Sequence, residues 1–194
     1  TNELQIDAVV VGAASAARRG VIDRERVLAL DSGLPIIVVD APSGYGKTVL
    51  AALWTARQRL RATSCWVAVD VASRDPIRFL DQMLAAVGVE PPSRPEAGID
   101  DEAARAARFS LLCAHLGQGS TQYALVVDDV HVIAGSASRI YLEQLLTLAS
   151  DRLRICLTMQ PMKVELGLGG LTARGLVTWI QASNLAFSAD EVAC

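Results

Sequence analysis

A three-layer α/β fold with a mainly parallel, five-stranded sheet is what this sequence predicts. Three observations carry it. Five short apolar runs are spaced along the chain, helical patterns separate them, and a Gly-containing turn joins the first run to the first long helix. Continuous apolar runs suit parallel strands, because crossover helices cover both faces of the sheet.

The elements follow in order. Residues Thr1 to Gly20 are Ala-rich, punctuated by Gly12 and Gly20, and read as a loosely attached N-terminal extension to a domain spanning 21–194. A short helical pattern runs from Asp23 to Leu30. Pro35 to Asp40 is the first strand, a β-branched run bounded by Pro and a turn. Thr48 to Leu60 is a helix with Leu50, Leu53, Trp54 and Leu60 on one side. Cys65 to Val69 is a strand. Asp75 to Val87 is a helix with Phe79, Leu80, Met83, Leu84 and Val87 at helical spacing. Val89 to Gly98 holds three prolines and is a loop. Asp100 to Leu116 is a helix opening on three carboxylates, as the helix dipole favours. Tyr123 to Val127, Leu153 to Leu157 and Leu176 to Ile180 are strands, and Ile140 to Leu148 is helical. Ser188 to Glu191 has the form of a capping box, yet the sequence stops three residues later. The expectation is a fragment of a longer protein.

Composition sets bounds. The 194 residues fit one domain, 52% are hydrophobic and 20% charged, so a sizeable core is expected rather than disorder. A net charge of -3 argues against a domain-wide basic face for nucleic acid. Cys65, Cys113 and Cys156 fall in apolar runs, and no two cysteines stand at a metal-ligand spacing; reduced thiols in a cytoplasmic protein are expected. No apolar run is long enough to span a bilayer, and no basic region precedes Ala8 to Ala17 as a signal peptide would need. Trp54, Trp66 and Trp179 read as core residues.

The turn after the first strand is Ala41-Pro42-Ser43-Gly44-Tyr45-Gly46-Lys47-Thr48, a phosphate-binding loop in its required strand–loop–helix setting. Gly44 and Gly46 permit backbone conformations that a Cβ opposes, which lets the loop turn N–H groups inward at a helix start. Lys47 is expected on the β- and γ-phosphates, as a catalytic as well as a binding residue, and Thr48 is expected to offer its hydroxyl to Mg²⁺. With Val49, the stretch from Ala41 makes the expected nucleotide contacts, ATP or ADP being the ligand. One position departs from the usual pattern: Ala41 stands where the first Gly would be. Ala is the smallest replacement and Pro42 stiffens the turn, so the loop is expected to form.

A second motif complements the first. Ala124 to Val127 run into Asp128 and Asp129, a Walker B pattern. Asp128 is the expected metal-side residue, and Asp129 the candidate for polarising an attacking water. A strand lies between the two motifs in sequence, and in this it resembles P-loop proteins with an additional strand, which commonly order the sheet 5-1-4-3-2; that order is expected here. That order sets the strand Leu153 to Leu157 between the two motif strands and points Thr158-Met159-Gln160 at the γ-phosphate. His131 reads first as a hydrogen-bonding or surface residue and second as a residue near the nucleotide. His115 sits on a helix without an evident partner.

Several stretches together resemble the nucleotide-binding domain of the MalT-like, large ATP-binding LuxR-type transcription regulators, within the STAND class of signal-transduction ATPases. They are Asp23 to Leu28, the Gly-Tyr-Gly-Lys-Thr loop, Cys65 to Asp70 followed by Asp75 to Leu80, Val126-Val127-Asp128-Asp129-Val130-His131, Leu171 to Gly175 and Leu185 to Glu191. The resemblance covers about residues 21–191. It implies an ATP/ADP switch with slow hydrolysis, self-association in the ATP state, and DNA binding through a C-terminal part outside this chain. No membrane partner is expected, since no apolar run is long enough to span a bilayer. Relatives usually carry Ser-Arg where Met159 and Gln160 stand here. Gln160 can hydrogen-bond a phosphate but brings no charge, which bears on γ-phosphate sensing and hydrolysis. Arg174 is a second candidate for that charge. Two other functions remain open: a module that binds nucleotide without hydrolysing it, and a P-loop small-molecule kinase. A kinase calls for a basic lid, and Gly167 to Gly175 holds only Arg174.

Overall fold

The computed structural model describes residues 25–59, 61–93, 101–161 and 166–186. The N-terminal extension, the capping box at Ser188 to Glu191 and part of the proline loop lie outside these residues. Helix α1 is Glu25–Leu28, β1 Ile36–Asp40, α2 Lys47–Gln58 and β2 Thr63–Ala68. A 3₁₀ turn at Val71–Arg74 leads into α3, Pro76–Ala86. Then come α4 Asp101–Gly117, β3 Tyr123–Asp128, a 3₁₀ turn at Val130–Val132, α5 Ser138–Leu146 and β4 Leu153–Met159. Helix α6 Gly169–Ala173, β5 Val177–Gln181 and α7 Ala182–Leu185 complete the series.

The five strands form one sheet in the order β2-β3-β4-β1-β5, and every pairing is parallel. Read from its other edge, this is the expected 5-1-4-3-2. Alternate residues of each strand serve opposite faces. Ile36 and Val38 of β1, Leu125 and Val127 of β3, and Ile155 and Leu157 of β4 pack in one core with Phe79, Leu80 and Met83 of α3, Leu112 of α4 and Leu142 of α5. Ile37, Val39, Ala124, Val126 and Cys156 pack on the other side with Leu50, Ala51 and Trp54 of α2. The result is three layers, with α2 on one face and α3 to α5 on the other.

Local chemistry sets the helix starts. The Asp75 side chain accepts from the Ile77 N–H at 2.9 Å and Pro76 takes the first turn, a favoured pairing for a helix N-terminus. Buried Arg108 of α4 donates to Asp81 of α3 at 2.7 Å and to the Pro92 carbonyl at 2.7 Å, tying the two helices and their connection together.

Two sequence expectations are corrected. Trp54 and Trp66 are buried, but Trp179 is 36% exposed because β5 is an edge strand; its Nε1 donates to Thr172 Oγ1 at 3.3 Å. His115 does have a partner, the Tyr123 hydroxyl at 3.0 Å from its Nε2. Two helices start earlier than their apolar patterns suggest, at Lys47 and at Ser138.

Candidate functional site

The C-terminal ends of β1, β3 and β4 converge on the loop that enters α2. Gly44 has φ 85° and Gly46 φ 75°, the left-handed region that glycine alone adopts readily. Gly46 is also the N-cap of α2 and supplies no side-chain cap, so the first N–H groups of the helix remain for another acceptor. Ala41 has no such backbone demand. It is fully buried in the α2-side core, and its N–H donates to the Met159 carbonyl at 3.2 Å. Its methyl therefore fits, and the departure from Gly leaves the loop intact.

Lys47 is the first residue of α2 and is only 7% exposed. Its Nζ donates to the Pro42 carbonyl at 3.0 Å. Among the described residues that neutral oxygen is the ammonium's only hydrogen-bond partner. Ser43, Tyr45 and Val49 are exposed around the same loop.

Across the sheet, the Thr48 hydroxyl donates to Asp128 at 3.1 Å. Asp128 ends β3 on the α2 side, in phase with Ala124 and Val126. Its carboxyl is pushed above the usual carboxylate range, chiefly by burial, with the neighbouring Asp129 charge adding to it; hydrogen bonds from Thr158 and Thr48 act the other way. Thr158, fully buried on β4, donates its hydroxyl proton to Asp128 Oδ1 and accepts the Asp129 N–H at 2.9 Å. One hydroxyl thus holds both acidic positions. The sequence reading missed this role, although strand order and residue parity contain it: β3 pairs with β4 at Val126↔Cys156 and Val127↔Leu157, which sets 158 beside 128.

Asp129 is the one non-glycine residue with positive φ among the described residues, at φ 62°, ψ 40°. Such a conformation costs free energy and tends to occur where a side chain must be aimed. Its carboxylate is 46% exposed, and His131 Nδ1 lies 3.6 Å from its Oδ1. Gln160 follows the last residue of β4 and is half-buried. Arg174 is exposed at the C-terminal end of α6. Asp40, which the sequence reading did not single out, ends β1 with a buried Oδ1 that has no hydrogen-bond partner. Burial raises its pKa, and the Lys47 charge works against that.

Lys47 and Asp128 are both buried and neither makes a direct ion pair among the described residues, although the Lys47 charge acts on Asp128 and Asp40 from a distance. A phosphate would complement the first and a divalent cation the second. Among the described residues no group of three or more His, Cys, Asp or Glu is arranged to hold a metal ion by itself. A magnesium ion with one hydroxyl, one carboxylate, water and phosphate oxygens needs no such group. No helix of the described residues is long and apolar enough to cross a membrane.

Comparison with known proteins bears on the family and the fold. Residues 30–166 match the family model described as an AAA domain. The chain is 27% identical over 176 residues to the HTH-type transcriptional regulator MalT of Yersinia enterocolitica, covering 87% of this chain and 19% of that protein. It is also 27% identical over 164 residues to the serine/threonine-protein kinase PknK of Mycobacterium tuberculosis, covering 81% and 15%. The chain thus spans a fifth or less of these relatives, and it is homologous to MalT over most of its own length. Among solved structures, the Aeropyrum pernix ORC1 protein in complex with DNA aligns with TM-score 0.62 at 15% identity, covering 88% of this chain and 46% of that one. Drosophila ORC bound to AT-rich DNA and Cdc6 aligns with TM-score 0.52 at 13% identity, covering 100% and 61%. At these identities the likeness is one of fold.

Proposed function

The chain belongs to the AAA domain family, and from that premise we propose that it is the ATP-binding, slowly hydrolysing switch domain of a signal-responsive transcription regulator. The observation that carries the nucleotide reading is two buried charges without a direct ion pair, Lys47 and Asp128, gathered at the helix start that follows the Gly44–Gly46 turn. MgATP supplies an anion for one and a cation for the other. We assign the domain to residues 21–194, with 1–20 as an extension.

In this reading Ala41 to Val49 hold the phosphates through loop N–H groups and the Lys47 ammonium. Thr48 and Asp128 hold Mg²⁺, and the metal supplies charge neutralisation for phosphoryl transfer to water. Asp129, half-exposed and aimed by its left-handed backbone, takes a proton from water. Gln160 contacts the γ-phosphate by a neutral hydrogen bond, which suits slow turnover. Thr158 keeps the metal-side carboxylate and the water-side backbone at fixed separation.

The regulator reading rests on homology to MalT, and the name PknK shows that a related domain also occurs in a protein kinase. Both fit a module whose nucleotide state governs a separate output part. Self-association in the ATP state, cytoplasmic location and DNA binding through a part outside this chain complete the proposal. The test is turnover in the absence of any acceptor. The wild-type chain should hydrolyse ATP slowly, and Asp129→Asn should stop hydrolysis with ATP still bound. Turnover that appears only on adding a small-molecule acceptor would replace this reading with a kinase.

A further inference from the structure

We propose that His131 is a positioning residue that holds the Asp129 carboxylate by donating its Nδ1–H to Oδ1, leaving the other carboxylate oxygen for the attacking water. The inference rests on the proposed role of Asp129 and extends it to a second residue.

Three observations point to the contact. The Asp129 main chain is pinned, its N–H on Thr158 Oγ1 at 2.9 Å and its carbonyl accepting from the Val132 N–H at 3.0 Å. Its side chain is not: half-exposed, it has no hydrogen bond among the described residues that would fix its rotation. Against it, at 3.6 Å, stands His131 Nδ1. That nitrogen is buried from solvent and has no hydrogen-bond partner. Water cannot satisfy it, so closing the remaining few tenths of an ångström to Asp129 gives it a partner. Catalytic hydrogen bonds are often long until the reacting groups are bound.

The main chain that carries the imidazole is also pinned. His131 lies in the 3₁₀ turn between Val130, which is fully buried, and Val132, whose carbonyl accepts from Arg74 Nε at 2.9 Å. The His131 carbonyl accepts from the Ala134 N–H at 3.4 Å. The donor side chain is the more enclosed of the two, 23% exposed against 46% for Asp129, so the imidazole is the less free partner and the carboxylate the one it orients. The proposed contact requires one tautomer. An unprotonated Nδ1 would set a lone pair against a carboxylate oxygen.

The chain has two histidines, His115 and His131, so a nitrogen spectrum of histidine-labelled protein is assignable with one variant. His131 should carry a proton on Nδ1 in the wild-type chain, and its nitrogen shifts should move in Asp129→Ala. An unprotonated Nδ1, or a spectrum unchanged by Asp129→Ala, would overturn the contact. Kinetics supply the second readout. His131→Ala should lower kcat by about tenfold to a hundredfold, the upper figure being what a 1 Å misplacement can cost, while the Kd for a non-hydrolysable ATP analogue stays within about twofold. His131→Asn, whose amide nitrogen can replace Nδ1 as donor, should recover most of the rate. Equal losses in the Ala and Asn variants, a wild-type rate in His131→Ala, or lost analogue binding in either would overturn the positioning role. Wild-type turnover in Asp129→Asn would instead overturn the role of Asp129, and the catalytic use of the contact with it; the tautomer would still report on the contact by itself.

Discussion

Replacing Thr158 by Val tests the hydroxyl that joins the two acidic positions. The two side chains are close in shape, so the loss is chemical rather than steric. Thr158 is fully buried; its hydroxyl donates to the Asp128 carboxylate and accepts the Asp129 N–H. A hydrogen bond to a charged group contributes about 1.5–3 kcal/mol, and a buried N–H left without an acceptor costs about 1–3 kcal/mol. Asp128 keeps the Thr48 hydroxyl at 3.1 Å, which offsets part of the loss. The expected destabilisation is about 2–4 kcal/mol, a large share of the stability of an ordinary domain. With a urea dependence of about 2 kcal/mol per molar, the unfolding midpoint should fall by about 1–2 M. The pH dependence has a definite sign. The folded Asp128 pKa is raised, so burying its carboxyl costs nothing below the unfolded value and costs progressively more as pH rises through the folded one. The hydroxyl's bond to the ionised form matters only there. The variant should therefore lose more stability at neutral pH than near pH 4, measured without nucleotide or metal. Thr158→Ser, which keeps the hydroxyl, should lose about 1 kcal/mol for its missing methyl. A Thr158→Val chain within 0.5 kcal/mol of wild type, or no milder an effect in Thr158→Ser, would refute the reasoning.

Two further outcomes are expected. Gly44→Ala should cost about 1–2 kcal/mol from backbone strain, because φ is 85° and nothing lies within 4 Å of the added carbon; urea unfolding with no loss of stability would contradict it. Cys65 and Cys156 are buried and their thiols are pushed upward, Cys65 to about 12, so both should resist iodoacetamide at pH 8 until the chain unfolds. Peptide mapping that finds either labelled as fast as a free thiol would contradict that.

Much of this architecture is legible in the residues. The β-branched run Ile36 to Val39 and the acid-terminated run ending at Asp128 mark their strands because both are buried on two faces. The order 5-1-4-3-2 is legible through the resemblance to P-loop proteins with an extra strand between the motifs, and the sheet has it. Edges and side-chain bridges are harder to read. Trp179 looks like a core residue by type, yet β5 has a neighbour on one side only. Thr158 looks like an ordinary strand residue; its role emerges once the register sets it across from Asp128. The His115–Tyr123 contact joins a helix to a strand, and no local pattern encodes it. The left-handed backbone of Asp129 is compatible with its residue type, since Asp tolerates that region better than most, but no local pattern marks this position for it.

Calorimetric titration with MgATP of the wild-type chain and of Lys47→Ala tests the central claim most directly. Lys47 has a neutral carbonyl as its hydrogen-bond partner among the described residues, so its ammonium is available to a phosphate. The account predicts saturable binding by the wild type and a loss of affinity of at least about 100-fold in the variant, equivalent to about 2.7 kcal/mol. Equal affinity for MgATP in the two proteins would contradict it.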